Sequence, residues 1–215
     1  SIGTQFEYLD DLRFGLSTRN TIEKMSVDAS ASARQKKQDG NYFDSFIGLD
    51  FFYDKRNQKY QTTSGFFSNY NVNIPILSET NTLTNNYSYK IFKELYENNV
   101  STFAFSLKGA SSLSGDDIEL SERLYIPGRK LRGFESGKIG PKDGSDFIGG
   151  NYVSTINATT TIPKILENVQ SVDIVLFADA ANIWGVDYDS SLDKNGIRSS
   201  VGCLLYTSPS PRDEL

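Results

Sequence analysis

The residues best suited to ionic contacts are positively charged side chains in a loop-like stretch, residues 125–141. This stretch contains four glycines, two prolines and the cations Arg129, Lys130, Arg132 and Lys138. Arg132 stands between an apolar residue and a glycine, and glycine adopts positive φ without steric cost. The planar guanidinium of an arginine held in this way matches a carboxylate through two parallel hydrogen bonds. The pattern therefore predicts a fixed ion pair with a buried acid, and a surface loop with incidental charge is the alternative.

Residue types needed for common enzyme chemistry are missing or poorly placed. The chain has no histidine, which excludes Ser-His-Asp and Cys-His catalysis and the commonest zinc sites. It also lacks nucleophile-elbow, P-loop and dinucleotide signatures. Acidic and polar residues between 187 and 196 loosely resemble a calcium loop, but the glycine is displaced and the closing glutamate is missing. We interpret that segment as a polar hairpin loop and predict no enzyme activity, no metal site and no cofactor.

Period-two alternation of apolar and polar residues along most of the chain predicts β-strands, which would position these side chains. The alternating segments are residues 2–8, 12–17, 44–53, 65–75, 87–91, 102–108, 152–162 and 172–179, with a last strand starting near Ile197. Residues 21–39 break the rhythm and predict a long outer loop with a short helix. Short turns and long loops alternate between roughly nine strands, which is typical of outer-membrane barrels.

The two faces of these strands differ in polarity. The apolar face comprises Phe14, Leu16, Ile47, Leu49, Phe51, Tyr70, Val72, Phe103, Phe105, Ile174 and Leu176. The polar face comprises Arg13, Asp50, Asn69, Asn71, Thr102, Thr155 and Asp173. A face of asparagines is costly in an apolar core and natural in a water-filled lumen. We therefore expect the apolar set to face lipid and the polar set to face the lumen.

Composition agrees with a barrel and argues against nucleic-acid binding. A formal net charge of -5 excludes a broadly basic surface. Hydrophobic residues make up 38% and aromatic residues 13% of the chain, and many aromatic and polar residues suit a barrel with aromatic girdles and a polar interior. A tyrosine-rich soluble sandwich is the alternative. No apolar run reaches the roughly 18 residues expected of a transmembrane helix.

The sequence Leu131-Arg132-Gly133-Phe134 resembles the apolar-Arg-Gly-aromatic signature of the BamA-type outer-membrane assembly factors. In that family the signature sits in an extracellular loop that folds back into the barrel lumen. Further matches, in family order, are Ile139-Gly140-Pro141, Gly149-Gly150-Asn151, and residues 177–184, where Ala181 replaces the usual glycine. The predicted framework of the loop comprises Gly128, Gly140, Pro141, Gly149 and Gly150. Residues 53–57 and 62–65 resemble another turn of the same barrel.

The resemblance implies a partial, all-β, antiparallel transmembrane barrel. Residues 1–202 would supply roughly nine strands from the C-terminal part of a barrel of about sixteen. The long loop at residues 111–150 would point into the lumen. The family places its loop arginine against acids on the inner wall, and Asp179 and Thr159 stand at the two matching positions, the second of which is usually glutamate. Arg132 is thus expected to pair mainly with Asp179 as a structural strut, with Thr159 at most a neutral hydrogen-bond acceptor.

The resemblance also implies a function. The family folds and inserts β-barrel proteins into the bacterial outer membrane, and its barrel is preceded by periplasmic POTRA domains. The implied partners are unfolded barrel clients, accessory assembly lipoproteins and the lipid bilayer, with no nucleic acid. Two-partner secretion pores and translocation-and-assembly pores share the loop signature and stay open as alternatives. A porin or a soluble β protein is a more distant alternative.

The start of the chain indicates a piece cut from a longer protein, and its last residues look foreign. The chain begins at Ser1 without an initiator methionine or a signal-peptide core. Residues 203–215 resemble the translation of a sequencing-library adapter, with a genuine proline-rich tail as the alternative. We therefore expect a fragment truncated at both ends, in which the only cysteine, Cys203, carries no information on redox compartment.

Overall fold

The computed structural model describes residues 1–27, 36, 39–78, 81–96, 99–115, 117–162, 172–193 and 196–207. The strands are β1 (Ile2–Leu9), β2 (Leu12–Met25), β3 (Gly40–Asp54), β4 (Gly65–Ser78), β5 (Thr82–Tyr96), β6 (Asn99–Ser112), β7 (Lys142–Asp143), β8 (Asp146–Phe147), β9 (Tyr152–Ile162), β10 (Val172–Trp184) and β11 (Arg198–Thr207). Short 3₁₀ turns span Leu120–Glu122, Gly128–Lys130 and Ser190–Leu192. No helix in the described ranges is long and apolar enough to cross a membrane.

Nine strands form one antiparallel sheet in the order β1-β2-β3-β4-β5-β6-β9-β10-β11, while β7 and β8 make a small hairpin within the loop between β6 and β9. The predicted all-β, partial-barrel fold of roughly nine strands is confirmed. Following the chain, β6 runs toward the long loop and β5 runs away from it. One end of the sheet therefore carries the long loop, here called the loop end. The opposite end, called the turn end, carries the short connection between Leu9 and Leu12.

Strand register puts the predicted apolar residues on one face, here called the outer face. Phe14 lies opposite Phe51, and Phe51 lies opposite Tyr70. Their rings form a row with centroid separations of 5.0 Å and 6.5 Å. Leu16, Leu49 and Val72 form the next row in the same way. Cross-strand aromatic and aliphatic pairs of this kind stabilise a sheet by about 0.2–1 kcal/mol each.

The other face, here called the inner face, is polar and carries the loop. Ser106 and Thr155 face each other across β6 and β9 and are joined by a 2.7 Å hydrogen bond between their hydroxyls. Register also places the predicted inner residues on this face, namely Arg13, Asp50, Asn69, Asn71 and Thr102. The predicted position of the Asp173 side chain lies outside the described residues.

The prediction that residues 21–39 form a loop was wrong for the first residues of this segment. β2 continues to Met25, and its last residues pair with β3 from Asp44 back to Gly40. This extension could not be recognised from Glu23 and Lys24, which are polar. A hairpin that continues beyond the lipid-facing band needs no apolar face, so its residues need not alternate in polarity. The short helix predicted within residues 21–39 was wrong for Ile22 and Met25, which lie in β2. Residues 28–35 and 37–38 lie outside the described residues.

Pro75 lies inside β4, although proline cannot donate a ladder hydrogen bond. The β3–β4 register shifts here, since Phe46 pairs with Pro75 while Ser45 pairs with Leu77. Ile76 is thus the extra residue of a β-bulge. Bulges and edges are the places where a sheet tolerates proline, so the strand runs on to Ser78, beyond the predicted end at Pro75.

The last described residues continue the sheet. Cys203 to Thr207 form the second half of β11 and pair with β10 from Leu176 back to Val172. Cys203 is exposed and free. The proposed foreign origin of residues 203–215 stays a prediction, and residues 208–215 lie outside the described residues.

Both outermost strands of the described sheet have one neighbour each. All eight residues of β1 are exposed. Because an unpaired edge is a template for other chains, we predict that the 215-residue chain, purified alone in detergent, self-associates. Size-exclusion chromatography with light scattering measures this, and a monodisperse monomer would contradict it.

A pair of proline variants gives the control for edge pairing. Consecutive amides of a strand point in opposite directions, so one of Thr4→Pro and Gln5→Pro removes a free edge donor and the other removes a β1–β2 bond. Only the variant that removes the edge donor should reduce self-association without loosening β1 from β2.

Candidate functional site

The loop between β6 and β9 packs its apolar side chains onto the inner wall made by β9 and β10. Ile126 and Leu131 from the loop join Val153, Ala181 and Ile183 in a cluster whose members are at most 3% exposed. Burying such side chains stabilises by about 1.5–3 kcal/mol each. Ala181, which replaces the family's usual glycine, fills part of this cluster. The loop is therefore folded onto the wall at Ile126 and Leu131.

Arg132 is held on Asp179 by three hydrogen bonds. Its backbone N–H and its Nε donate to Asp179 Oδ2 at 3.1 Å and 2.7 Å, and its Nη2 donates to Oδ1 at 2.7 Å. The Asp179 side chain is 0% exposed and that of Arg132 is 21% exposed. The structure thus brings the two residues together in the bidentate geometry that the loop signature predicts, which suits a buried carboxylate.

The side chain that supports this pair from β9 is Asn157 rather than Thr159. The Asn157 amide donates to Asp179 Oδ1 and to the Lys130 carbonyl oxygen, both at 2.8 Å. Register explains the difference, because Asp179 lies opposite Asn157 while Thr159 lies opposite Phe177. Thr159 instead shares a hydrogen bond with the Thr102 hydroxyl. The amide of Asn157 ties the loop backbone and the carboxylate to the same point on the wall.

Phe177 on β10 packs against the arginine, and Gly133 and Phe134 follow it in the signature. The Arg132 guanidinium lies over the Phe177 ring, 3.9 Å from its centroid, a distance at which cation–π attraction contributes. Gly133 has φ of 85°, as predicted from its position after Arg132. Phe134 is 37% exposed and lines a cavity with Ile139, so it anchors the loop less than the buried Leu131 does.

The framework glycines allow close backbone approach where the loop rejoins the sheet. A Cβ on Gly149 would lie 2.7 Å from the Leu124 carbonyl oxygen, and one on Gly150 would lie 2.6 Å from the Trp184 carbonyl oxygen. Gly150 and Leu124 exchange backbone hydrogen bonds of 2.8 Å and 3.0 Å. The remaining predicted framework residues are Gly128, which begins a 3₁₀ turn, Gly140, whose φ is 117°, and Pro141, which is fully buried.

A second clamp, which sequence reasoning missed, holds the start of the loop. Arg123 is 4% exposed and its Nη2 donates to Asp187 Oδ1. The other carboxylate oxygen accepts from the Ile118 amide at 2.7 Å, and the Tyr188 ring lies 5.0 Å from the guanidinium carbon. Asp187 therefore bridges two parts of the loop to the segment that follows β10.

This second clamp predicts a pH dependence. Burial raises the pKa of Asp187, but the Ile118 amide and the Arg123 charge lower it by more, so the net pKa lies below the ordinary value. A carboxyl with a lowered folded-state pKa stabilises the fold fully above its unfolded pKa of about 3.9 and loses that contribution as pH falls through its folded value. We expect hydrogen-exchange protection of the Ile118 amide to fall in that acid range.

Two neighbouring carboxylates separate this effect from general acid unfolding. Asp187→Asn should remove the pH dependence of Ile118 protection and lower protection at neutral pH. Asp189→Asn is the matched control, because Asp189 caps the 3₁₀ turn at Ser191. Equal acid sensitivity in the wild type and Asp187→Asn would contradict the assignment.

The Arg–Asp geometry of the loop recurs at the β3–β4 connection. The backbone N–H and the Nε of Arg56 donate to Asp54 Oδ1 at 3.2 Å and 2.8 Å, and Nη2 donates to Oδ2 at 2.7 Å. The guanidinium carbon of Arg56 lies 4.9 Å from the centroid of the Phe67 ring. The signal was present in the sequence, because Asp54 and Arg56 belong to the turn that resembles the family.

Acidic residues of the calcium-like segment are used in the loop's own hydrogen bonds. Asp187 binds Arg123, Asp189 accepts from the Ser191 amide at 2.9 Å, and Asp193 accepts from the Gly185 amide at 3.0 Å. Asn195 lies outside the described residues. Within the described ranges, no group of three or more histidine, cysteine, aspartate or glutamate side chains could hold a metal ion. The geometry of the site supports mechanical fixation of a loop.

Nearly the whole chain is similar to one protein family and to one solved barrel structure. The Omp85 superfamily domain model matches residues 1–212. The BamA structure from Haemophilus ducreyi, lacking POTRA domains 1–3, superposes with a TM-score of 0.78 at 22% sequence identity, covering 96% of this chain and 47% of that one. At this identity the likeness shows the fold.

Two curated proteins are similar over part of the chain. A SAM50-like protein of Schizosaccharomyces pombe is 32% identical over 114 residues, which cover 48% of this chain and 24% of that protein. The outer membrane protein assembly factor BamA of Neisseria meningitidis serogroup B is 31% identical over 103 residues, covering 42% of this chain and 13% of that protein. The matched stretches thus span less than a third of either relative.

Proposed function

Because the chain belongs to the Omp85 superfamily, we propose that it forms barrel wall in an outer-membrane assembly factor that folds and inserts β-barrel proteins into the bacterial outer membrane. The observation that carries the proposal is the clamp of Arg132 on Asp179, which holds the signature loop on the inner wall. The assembly factor of Neisseria meningitidis and the barrel from Haemophilus ducreyi support a bacterial outer membrane.

The proposed mechanism divides the barrel into a rigid part and an opening part. Strands β6, β9 and β10 carry the clamped loop, so their inner face has a fixed shape. A barrel that opens elsewhere exposes a strand edge, whose free N–H and C=O groups can pair with a strand of an unfolded client. The clamped wall limits the opening to that seam. The process uses backbone hydrogen bonds and burial of apolar surface, with no covalent step.

The proposed partners follow from this role. They are unfolded outer-membrane barrel clients, accessory assembly lipoproteins and the lipid bilayer around the outer face. The apolar outer face supports contact with the bilayer, since Phe103 and Leu176 on it are 45% and 42% exposed.

A complementation experiment tests the proposed function. The full-length protein is expressed in cells depleted of their own assembly factor, and folded porin is measured by its heat-modifiable mobility on gels. We expect restored folded porin with the wild type and much less with Arg132→Ala. Lys138→Ala is the matched control from the same loop, because its ion pair with Glu135 is 60% and 68% exposed.

The same experiment distinguishes the proposed assembly factor from a secretion pore. A two-partner secretion or translocation-and-assembly pore would leave porin levels unrestored while supporting export of its own substrate. Failure of the wild type to restore porin in cells that contain the folded protein would overturn the proposed function.

A further inference from the structure

A groove of ≈ 550 Å³ crosses the outer face of strands β5, β6, β9 and β10. Its floor is formed by two small side chains, Ala158 and Ala178, which lie opposite each other in the β9–β10 register. Phe103 lies beside Ala158 across β6 and β9. Groove walls are formed by Ile91, Leu95, Phe103 and Leu176. Small residues flanked by large apolar ones thus leave a channel in this part of the outer face.

A polar row crosses the groove on the turn-end side of Phe103, with the wall residue Leu95 beyond it. Lys93, Ser101 and Thr160 form one row across β5, β6 and β9. The two hydroxyls share a 2.8 Å hydrogen bond, and Thr160 donates to the Asn99 side-chain oxygen at 3.0 Å. The Lys93 side chain is exposed, and no described carboxylate lies within ion-pair distance of it. The groove therefore joins an apolar channel to one positive charge.

Lys93 lies close to the turn end of its strand. β5 ends at Tyr96, so Lys93 is three residues, or about 10 Å along the strand, from the end of the sheet. Tyr96 is 76% exposed, and exposed tyrosines gather at the membrane–water interface. A lysine near the end of a spanning segment extends its ammonium toward that interface.

Backbone pairing limits what can occupy the groove. Register is continuous along the row from Ile91 to Phe103 to Ala158 to Ala178, and it shifts at Leu95 near the end of β5. Along this row the groove lies on the face of the sheet and the backbone groups are used in the ladders, so a client strand cannot be added there. An acyl chain needs no hydrogen bonds and gains from contact with apolar side chains. A phosphate diester complements the ammonium of Lys93.

We propose that this groove binds one glycerophospholipid of the turn-end leaflet, with an acyl chain over Ala158 and Ala178 and its phosphate on Lys93. The bound lipid fills a recess in the wall behind the clamped loop. Phe177 lies between the groove residues Leu176 and Ala178 and carries Arg132 on the inner face. The lipid site and the loop clamp thus share one segment of β10.

Native mass spectrometry of the full-length protein in detergent tests the site. The probe is phosphatidylglycerol, and the comparison lipid is a diacylglycerol with the same acyl chains and no phosphate. We expect one retained phosphatidylglycerol and clearly weaker retention of diacylglycerol. Lys93→Gln should weaken phosphatidylglycerol binding about tenfold, because it removes a charge-assisted hydrogen bond. Lys93→Arg should keep the affinity within about threefold, since the positive charge remains.

Two further variants complete the test. Ala158→Phe fills the floor of the groove and should weaken binding of both lipids. Lys24→Gln is the matched control, because Lys24 is also an exposed outer-face lysine but lies on β2 at the loop end. Where Ala158→Phe fails to fold, the Lys93 variants still decide. An unchanged affinity for phosphatidylglycerol in Lys93→Gln, or equal retention of diacylglycerol by the wild type, overturns the proposal.

Discussion

Arg132→Ala in the full-length protein should lower the free energy of unfolding by about 3–5 kcal/mol, because it leaves the buried carboxylate of Asp179 without its charged partner. The two sides of the pair are not equivalent. Asp179 is 0% exposed and keeps the Asn157 amide, whereas Arg132 is 21% exposed. After Asp179→Ala the guanidinium can turn toward water in the lumen, so that variant should cost less. Urea unfolding in phospholipid vesicles, followed by heat-modifiable gel mobility, measures both.

A double-mutant cycle tests whether the two residues act through one contact. Arg132→Ala with Asp179→Ala should be little worse than the more damaging single variant, as expected when both changes break the same interaction. Porin assembly should follow the same pattern. Additive losses would show that the residues stabilise the protein separately and would contradict the strut.

Arg132→Lys gives a graded control. Lysine keeps the charge but loses the planar fork, which here places Nε and Nη2 on the two carboxylate oxygens at 2.7 Å each. We expect an intermediate loss, because a point charge cannot make two parallel bonds. Lys138→Ala, in the same loop but exposed, should change stability by about 1 kcal/mol or less.

The sequence predicted the Arg132–Asp179 contact and missed what surrounds it. The contact follows from the loop signature and from Asp179 in a second matching segment. Asn157 was missed because the β9–β10 register decides which residue faces Asp179, and a motif match to Thr159 was off by two residues. Such an offset keeps the side chain on the same face, so alternation alone could not detect it.

Long-range contacts at the loop end could not be predicted from the sequence for a different reason. Arg123 and Asp187 are 64 positions apart, and each alone looks like an ordinary polar loop residue. Strand faces were easier to predict, because a lipid-facing band imposes period-two alternation wherever a strand crosses it. Beyond the band that constraint ends, and for this reason the sequence pattern predicts a loop where the last residues of β2 lie.

Leu49→Arg should destabilise the full-length barrel by about 2–4 kcal/mol, the cost of placing a cation on the lipid face near the bilayer midplane. Leu49 lies near the middle of β3 and packs in register with Leu16 and Val72 on the outer face. An arginine there has no acidic neighbour in its row and must extend along the strand to reach water. The loss should appear in a urea titration of vesicle-folded protein and should shrink in a thinner bilayer, where the midplane is closer to water.

The neighbouring position on the same strand supplies the control. Asp50 lies on the inner face, in register with Gly15 and Asn71. Asp50→Arg introduces the same side chain one residue away but directs it into the polar lumen. Substitutions there change the selectivity of the lumen, whereas a charge on the lipid face lowers stability. We expect its cost to be clearly smaller than that of Leu49→Arg and to be independent of bilayer thickness. If the two variants lost equal stability, or if Asp50→Arg were the one that responded to thickness, the assignment of the outer face to lipid would be wrong.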